Sequence, residues 1–186
     1  MEMQLSPIGW ALRPLQNYAK FSGRASRAEF WWFFLFTMII YFAALFIAGG
    51  ASRGMAAMNP GADIARGTFS GSLVVVGLFW LFLFIPMLAV QIRRLHDTNR
   101  SGWWLGAFWL LYVVYMVGAF ATIASLKNTT PGTPPNLGGA AMFGIFGLLF
   151  FVYSIVLFVF FCLRGTTGPN RFGDDPYGAD VGEVFA

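Results

Sequence analysis

Charged side chains vanish from this chain four times: between Glu29 and Arg53, Arg66 and Arg93, Arg100 and Lys127, and Lys127 and Arg164. Each gap holds a core of roughly 20 apolar residues, which at 1.5 Å rise per residue crosses about 30 Å of hydrocarbon. The pattern predicts an all-α membrane protein. It is a single domain over residues 1–186 with four spans, at about 30–50, 72–92, 103–124 and 140–163. Ahead of the first span, Ile8, Leu12, Leu15 and Ala19 recur at helical spacing, with Trp10 and Tyr18 suited to the headgroup layer. Residues 8–20 therefore read as a short helix on the membrane surface, and Pro14 works against it.

Local signals suggest where the elements end. Ser26 and Glu29 form a capping box that starts the first helix near Arg27, and Gly49–Gly50 is a place for it to stop. Residues 51–71, rich in small side chains, read as an external loop. Pro86 should kink the second span and free the carbonyl of Phe82. Arg93 and Arg94 fall in its last turn, where the helix dipole favours cations and long stems snorkel. The short turn from His96 to Ser101 makes spans two and three an antiparallel hairpin, with Asn99 or Ser101 available to cap the third helix. Gly102 and Gly106 give one GxxxG spacing, a weak motif in a single copy. Ala140, Gly144 and Gly147 give the last span a partly small-residue face. Residues 126–139 and the tail from Arg164 are turn chemistry, and the chain shows no internal repeat.

Composition agrees with the pattern. The chain is 58% hydrophobic and 11% charged, against about 25% charged in an ordinary soluble domain. The first residues lack the apolar core of a cleaved secretory signal, so the first span is expected to serve as the insertion signal. A single cysteine, Cys162, excludes an intrachain disulfide and a cysteine metal cluster.

The net charge of +4 does not imply nucleic acid, because the basic residues are dispersed. Nine of the twelve Lys and Arg lie in alternate segments: Arg13, Lys20, Arg24 and Arg27, then Arg93, Arg94 and Arg100, then Arg164 and Arg171. The positive-inside rule puts both termini and the second loop in the cytoplasm.

Three polar segments then share the cytoplasmic side: FSGRASRAEFWW (21–32), RRLHDTNRSGWW (93–104) and RGTTGPNRFGDDP (164–176). Through these segments the chain closely resembles domain of unknown function 805, a bacterial family of small four-span inner-membrane proteins. The resemblance covers almost the whole chain. Asp174 stands where the family often has Pro. The resemblance implies multi-pass insertion in the bacterial inner membrane and supplies no activity.

The candidate cluster from these motifs is Arg24, Arg27, Glu29, Arg93, Arg94, His96, Asp97, Asn99, Asn170, Arg171 and Asp175. One reading is structural, with opposite charges satisfying one another at helix ends. Another is an anion site, since Arg forks suit phosphate and anionic headgroups. Lone neighbours such as His96 and Asp97 are more often turn residues than catalysts, and no metal-ligand, nucleophile or phosphate-loop motif accompanies them. No cofactor and no nucleic-acid partner are expected. The spans carry no ionisable side chain of the kind that marks an ion pathway.

The reading is therefore a non-enzymatic inner-membrane component, structural or interacting. Membrane lipids are its expected ligands, with a homo-oligomer or another membrane protein as further partners. Two alternatives stand beside it: a membrane enzyme or lipid-handling protein using His96 and Asp97, and a small-solute transporter subunit.

Overall fold

The Ser6 side chain accepts a hydrogen bond from the Gly9 amide at 3.1 Å, and Pro7 occupies the start of the helix where its missing N–H costs nothing. These two residues open α1 (Pro7–Gln16) in the computed structural model, which describes residues 6–58, 64–127 and 137–176. The helix continues past Pro14, burying that ring and Ala11 as it packs along α2 and α3. It stops four residues short of the expected end, with Asn17 at its C-cap.

Four long helices follow: α2 (Arg27–Met58), α3 (Ile64–Asp97), α4 (Trp103–Lys127) and α5 (Leu137–Cys162). Their membrane-length apolar stretches are Arg27–Gly50, Leu73–Asp97, Trp103–Ser125 and Ala141–Cys162. Among the described residues there is no strand, only an isolated bridge between Asn170 and Gly173.

The loop expected over residues 51–71 is largely helical: α2 runs through Gly49–Gly50 to Met58, and α3 already starts at Ile64. A glycine costs only about 1 kcal/mol in a helix interior, and the alanines and methionines that follow are strong helix formers. The first hard stop in the sequence is Pro60, which disfavours helix at the residue before it. Residues 59–63 lie outside the described part, as do 128–136 of the expected third loop and 177–186 of the tail.

At the other end of α3, Asn99 adopts φ +57°, while Arg100 N donates to Leu95 O at 2.9 Å and Asn99 N to His96 O at 3.0 Å. That is a Schellman closure, and it needs a residue that tolerates the left-handed region, which Asn does better than most. Asn99 therefore ends α3 instead of capping α4. Gly102 then lets the chain pass close to α3, where an added Cβ would lie 3.1 Å from Ile92. Gly106 faces only Trp103 of its own helix, so the GxxxG spacing makes one close approach, not two.

The helices pack chiefly as two pairs, α2 with α3 and α4 with α5. What joins the pairs is concentrated at one end, where Phe30, Phe33, Val90, Leu95, Leu105, Leu157 and Phe161 are buried together. The Phe30 and Phe161 rings are 4.7 Å apart there. Among the described residues of α4 beyond Leu105 and of α5 before Leu157, none is buried. The bundle is clasped at this end, called the rim below.

Candidate functional site

Asp97, the last residue of α3, sits at the centre of the rim with no exposed surface. Arg24 approaches one carboxylate oxygen through Nε at 2.9 Å and Nη2 at 2.8 Å, and Arg94 donates through Nη1 to the other. Two buried guanidinium groups thus divide the carboxylate between them. A lone charge at this depth would cost several kcal/mol, and shared hydrogen bonds of this kind offset that cost.

The two arginines also close the ends of other elements. Arg94 donates Nε to Phe161 O at 3.2 Å and Nη2 to Leu163 O, satisfying carbonyls at the end of α5 that have no helical partner. Arg24 donates Nη1 to Gly168 O at 2.6 Å and Nη2 to Thr166 O at 2.5 Å, carbonyls of the tail. Because Arg24 precedes α2, Asp97 ends α3 and the accepting carbonyls lie at and beyond the end of α5, one carboxylate ties three segments together.

The tail is folded onto the same turn. Thr166 N donates to Asp97 O at 2.9 Å, Asn170 Nδ2 to His96 O at 3.0 Å, and Arg171 Nη2 to Asn99 O at 3.1 Å. Gly168 N donates to Asp175 at 2.9 Å, and Asp175 lies 3.9 Å from Arg24. Gly165 passes so close to Asp97 that a Cβ there would collide with its carboxylate.

His96 turns away from its neighbour. Its ring lies flat on Phe172, centroids 3.9 Å apart at 3°, and its Nδ1 pairs with Gly23 O at 3.1 Å. In that pairing the nitrogen donates, since a carbonyl only accepts. The His96 and Asp97 side chains therefore engage different partners, and both carboxylate oxygens of Asp97 are occupied by arginine.

A second ion pair flanks the first. Glu29, in the first turn of α2, lies 2.7 Å from Arg93 Nη1, and Arg13 of α1 reaches its other oxygen at 3.9 Å. The capping box is half realised: Ser26 Oγ accepts from Glu29 N at 3.1 Å, while the Glu29 carboxylate faces Arg93. The short approach from Arg93 Nη1 does not complete the pair, because Glu29 Oε1 and Arg93 Nε and Nη2 are buried without a hydrogen-bond partner. Arg93 and Arg94 are 4% and 0% exposed, so neither snorkels to the surface.

The sequence candidates thus fall into three groups. Arg24, Arg94, His96, Asp97, Asn99, Asn170, Arg171 and Asp175 meet in one network, and Glu29 with Arg93 forms the neighbouring pair. Arg27 is exposed and lines a cleft of about 310 Å3 with Arg164, Gly165, Thr166, Thr167 and Asp175. Four of these, Arg164, Gly165, Thr166 and Thr167, are absent from the candidate cluster. A glycine and a hydroxyl residue directly after a span are the signal that could have found them. Among the described residues, no three His, Cys, Asp or Glu side chains gather where a metal could sit.

A family model described as "Protein of unknown function (DUF805)" matches residues 18–174. The chain is 32% identical over 167 residues to the inner membrane protein YhaI of Escherichia coli strain K12, across 90% of this chain and 94% of the relative. It is 29% identical over 169 residues to the inner membrane protein YhaH of the same strain, across 91% of this chain and 97% of the relative. No solved structure matches.

Proposed function

The chain belongs to the DUF805 family and is an integral inner-membrane protein, and from that premise we propose that it acts without catalysis, as a clasped four-helix component whose cytoplasmic rim holds an anionic headgroup or another phosphate-bearing ligand. The observation that carries this reading is that two exposed arginines, Arg27 and Arg164, line one cleft at the rim. Arg24 and Arg94 are consumed by Asp97, and Arg93 stands beside Glu29, all inside the protein. Arg27 and Arg164 reach the surface on one cleft, which Thr167 and the Asp175 carboxylate also line. Two guanidinium groups on one opening suit a phosphate, and a bilayer surface supplies phosphates at that level.

The enclosure of Asp97 argues against the enzyme alternative that used His96 and Asp97 together. General acid–base work needs a carboxylate or imidazole within reach of substrate, and Asp97 is enclosed between two arginines.

The test is retention of lipid by Arg27→Gln/Arg164→Gln in native mass spectra of gently solubilised protein. Loss of phosphatidylglycerol relative to phosphatidylcholine, larger at low salt than at high salt, is expected. If added inorganic phosphate displaces the bound lipid from the parent, the site also accepts a soluble phosphate. Identical lipid spectra for variant and parent would remove the rim site altogether.

A further inference from the structure

Between α1 and α2 the chain has to climb back to the rim. Arg24 is bonded to Asp97 there, whereas the Tyr18 hydroxyl meets the Phe82 carbonyl about 22 Å down α3 from Asp97. From Tyr18 to Arg24 the chain reaches at most about 20 Å when fully extended. Most of residues 18–24 is therefore spent climbing beside the apolar stretch Leu73–Asp97, and the side chain of Tyr18 supplies the rest of the reach. Trp32 and Trp103, exposed near the rim ends of α2 and α4, mark the headgroup layer. The climbing segment starts below it.

A climb of this kind leaves backbone groups open. Lys20 N donates to Asn17 O at 3.1 Å, but the N–H groups of Tyr18, Ala19, Phe21, Ser22 and Gly23 donate to nothing among the described residues. Lys20, Phe21 and Ser22 are exposed, and among the described residues neither the Lys20 ammonium nor the Ser22 hydroxyl has a partner. Non-helical backbone at membrane depth persists only where protein buries it or water and headgroups reach it. Its exposure removes the first option. Water would satisfy the amides, but it leaves the Lys20 charge without a counter-ion, which is costly below the headgroup plane. The carboxylates nearest the rim are already engaged, Glu29 by Arg93 and Arg13 and Asp97 by Arg24 and Arg94. The anion at hand is a lipid phosphate.

We infer that residues 18–23 form a headgroup site sunk into the rim-side leaflet, where the Lys20 ammonium, the Ser22 hydroxyl and the open amides of Phe21 and Ser22 hold the phosphate of one phospholipid below its neighbours. A phosphate offers only acceptors at its oxygens, which matches a cation, a hydroxyl and unpaired N–H groups. The site shares no residue with the Arg27–Arg164 cleft and stands or falls independently of it.

The test uses the full chain, isotope-labelled at nitrogen, in bilayers of phosphatidylcholine and phosphatidylglycerol. Solid-state NMR then reads which protein nitrogens lose signal through dipolar coupling to lipid phosphorus. The Lys20 ammonium and the amides of Phe21 and Ser22 should lose signal, and the amide of Phe79, on an exposed stretch of α3 deeper than Phe82, should keep it. Lys20→Gln should abolish the loss at Phe21 and Ser22, and Lys20→Arg should retain it. Lys20 is exposed, so neither variant disturbs packing. In a Cys162→Ala background, a membrane-impermeant maleimide should label Phe21→Cys and spare Phe79→Cys. Labelling of Phe21→Cys without phosphorus coupling would mean that water alone fills the site. Coupling unchanged in Lys20→Gln would remove the lysine as its anchor. Either result, or the absence of both labelling and coupling, would overturn the assignment.

Discussion

The Tyr18 hydroxyl donates to the carbonyl of Phe82 at 2.6 Å. Phe82 is the residue whose carbonyl loses its helical partner because Pro86, four positions on, has no N–H. The donor thus arrives from the segment after α1, and the two rings pack at 5.2 Å. In hydrocarbon an orphaned carbonyl is expensive, so this contact gives α1 a reason to stay on the bundle. Tyr18→Phe should destabilise the protein by about 1–3 kcal/mol. In a Pro86→Ala background, where residue 86 can again donate to Phe82, the same substitution should cost clearly less. Thermal unfolding in detergent across this double-mutant cycle is the measurement. Strictly additive effects would mean that the hydroxyl is not substituting for the missing amide.

Removing the Asp97 carboxylate should be among the most damaging single changes in the chain. Asp97→Ala leaves Arg24 and Arg94 buried side by side without their shared counter-charge, a loss of about 3–5 kcal/mol by comparison with other broken buried pairs. Asp97→Asn keeps the shape and loses the charge, so it should be nearly as severe. Expression level and melting temperature both report the outcome. A near-neutral Asn variant would show that hydrogen-bond geometry, not charge, holds the clasp.

Gly165→Ala should resemble Asp97→Ala, because the new methyl group would occupy the place of the Asp97 carboxylate. The neighbouring backbone is bonded to Asp97 O through Thr166 and cannot yield cheaply. Gly144→Ala makes the control, since open space surrounds that position and alanine is the better helix former. It should leave the melting temperature unchanged or raise it by the equivalent of roughly 0.5–1 kcal/mol. Equal behaviour of the two variants would remove the close approach as the reason for Gly165.

The four helices were legible because hydrocarbon imposes one long apolar run per crossing, and the chain shows four such gaps in charge. The orphaned Phe82 carbonyl was legible for a similar reason, since Pro86 removes one named donor; its replacement by Tyr18 was not, because that contact joins residues distant in sequence. The candidate cluster could be assembled from charge and spacing alone. Its internal assignments could not, since any of seven arginines could have faced Asp97, and only the packing of Arg24 and Arg94 at its two oxygens decides. Residues 51–71 misled for an energetic reason. Small residues read as loop when glycine pairs are weighed as breakers, yet one or two glycines cost too little to stop a helix rich in alanine.

The remaining prediction concerns orientation. The ends of α2, α3, α4 and α5 that meet at the rim carry Arg24, Arg27, Arg93, Arg94, Arg100, Arg164 and Arg171, and the far side holds only Arg53, Arg66 and Lys127. That the rim arginines are partly matched by carboxylates does not weaken the topology signal, because acidic residues contribute little to the positive-inside rule. The rim should therefore face the cytoplasm, with both chain ends on that side. A reporter active only in the cytoplasm should work when fused after Ala186 and fail when inserted within residues 128–138, and a periplasmic reporter should give the opposite pair. A periplasmic C-terminus would place the Arg27–Arg164 cleft away from the leaflet whose anionic surface motivates the phosphate reading, and the rim site would lose its expected ligand with it.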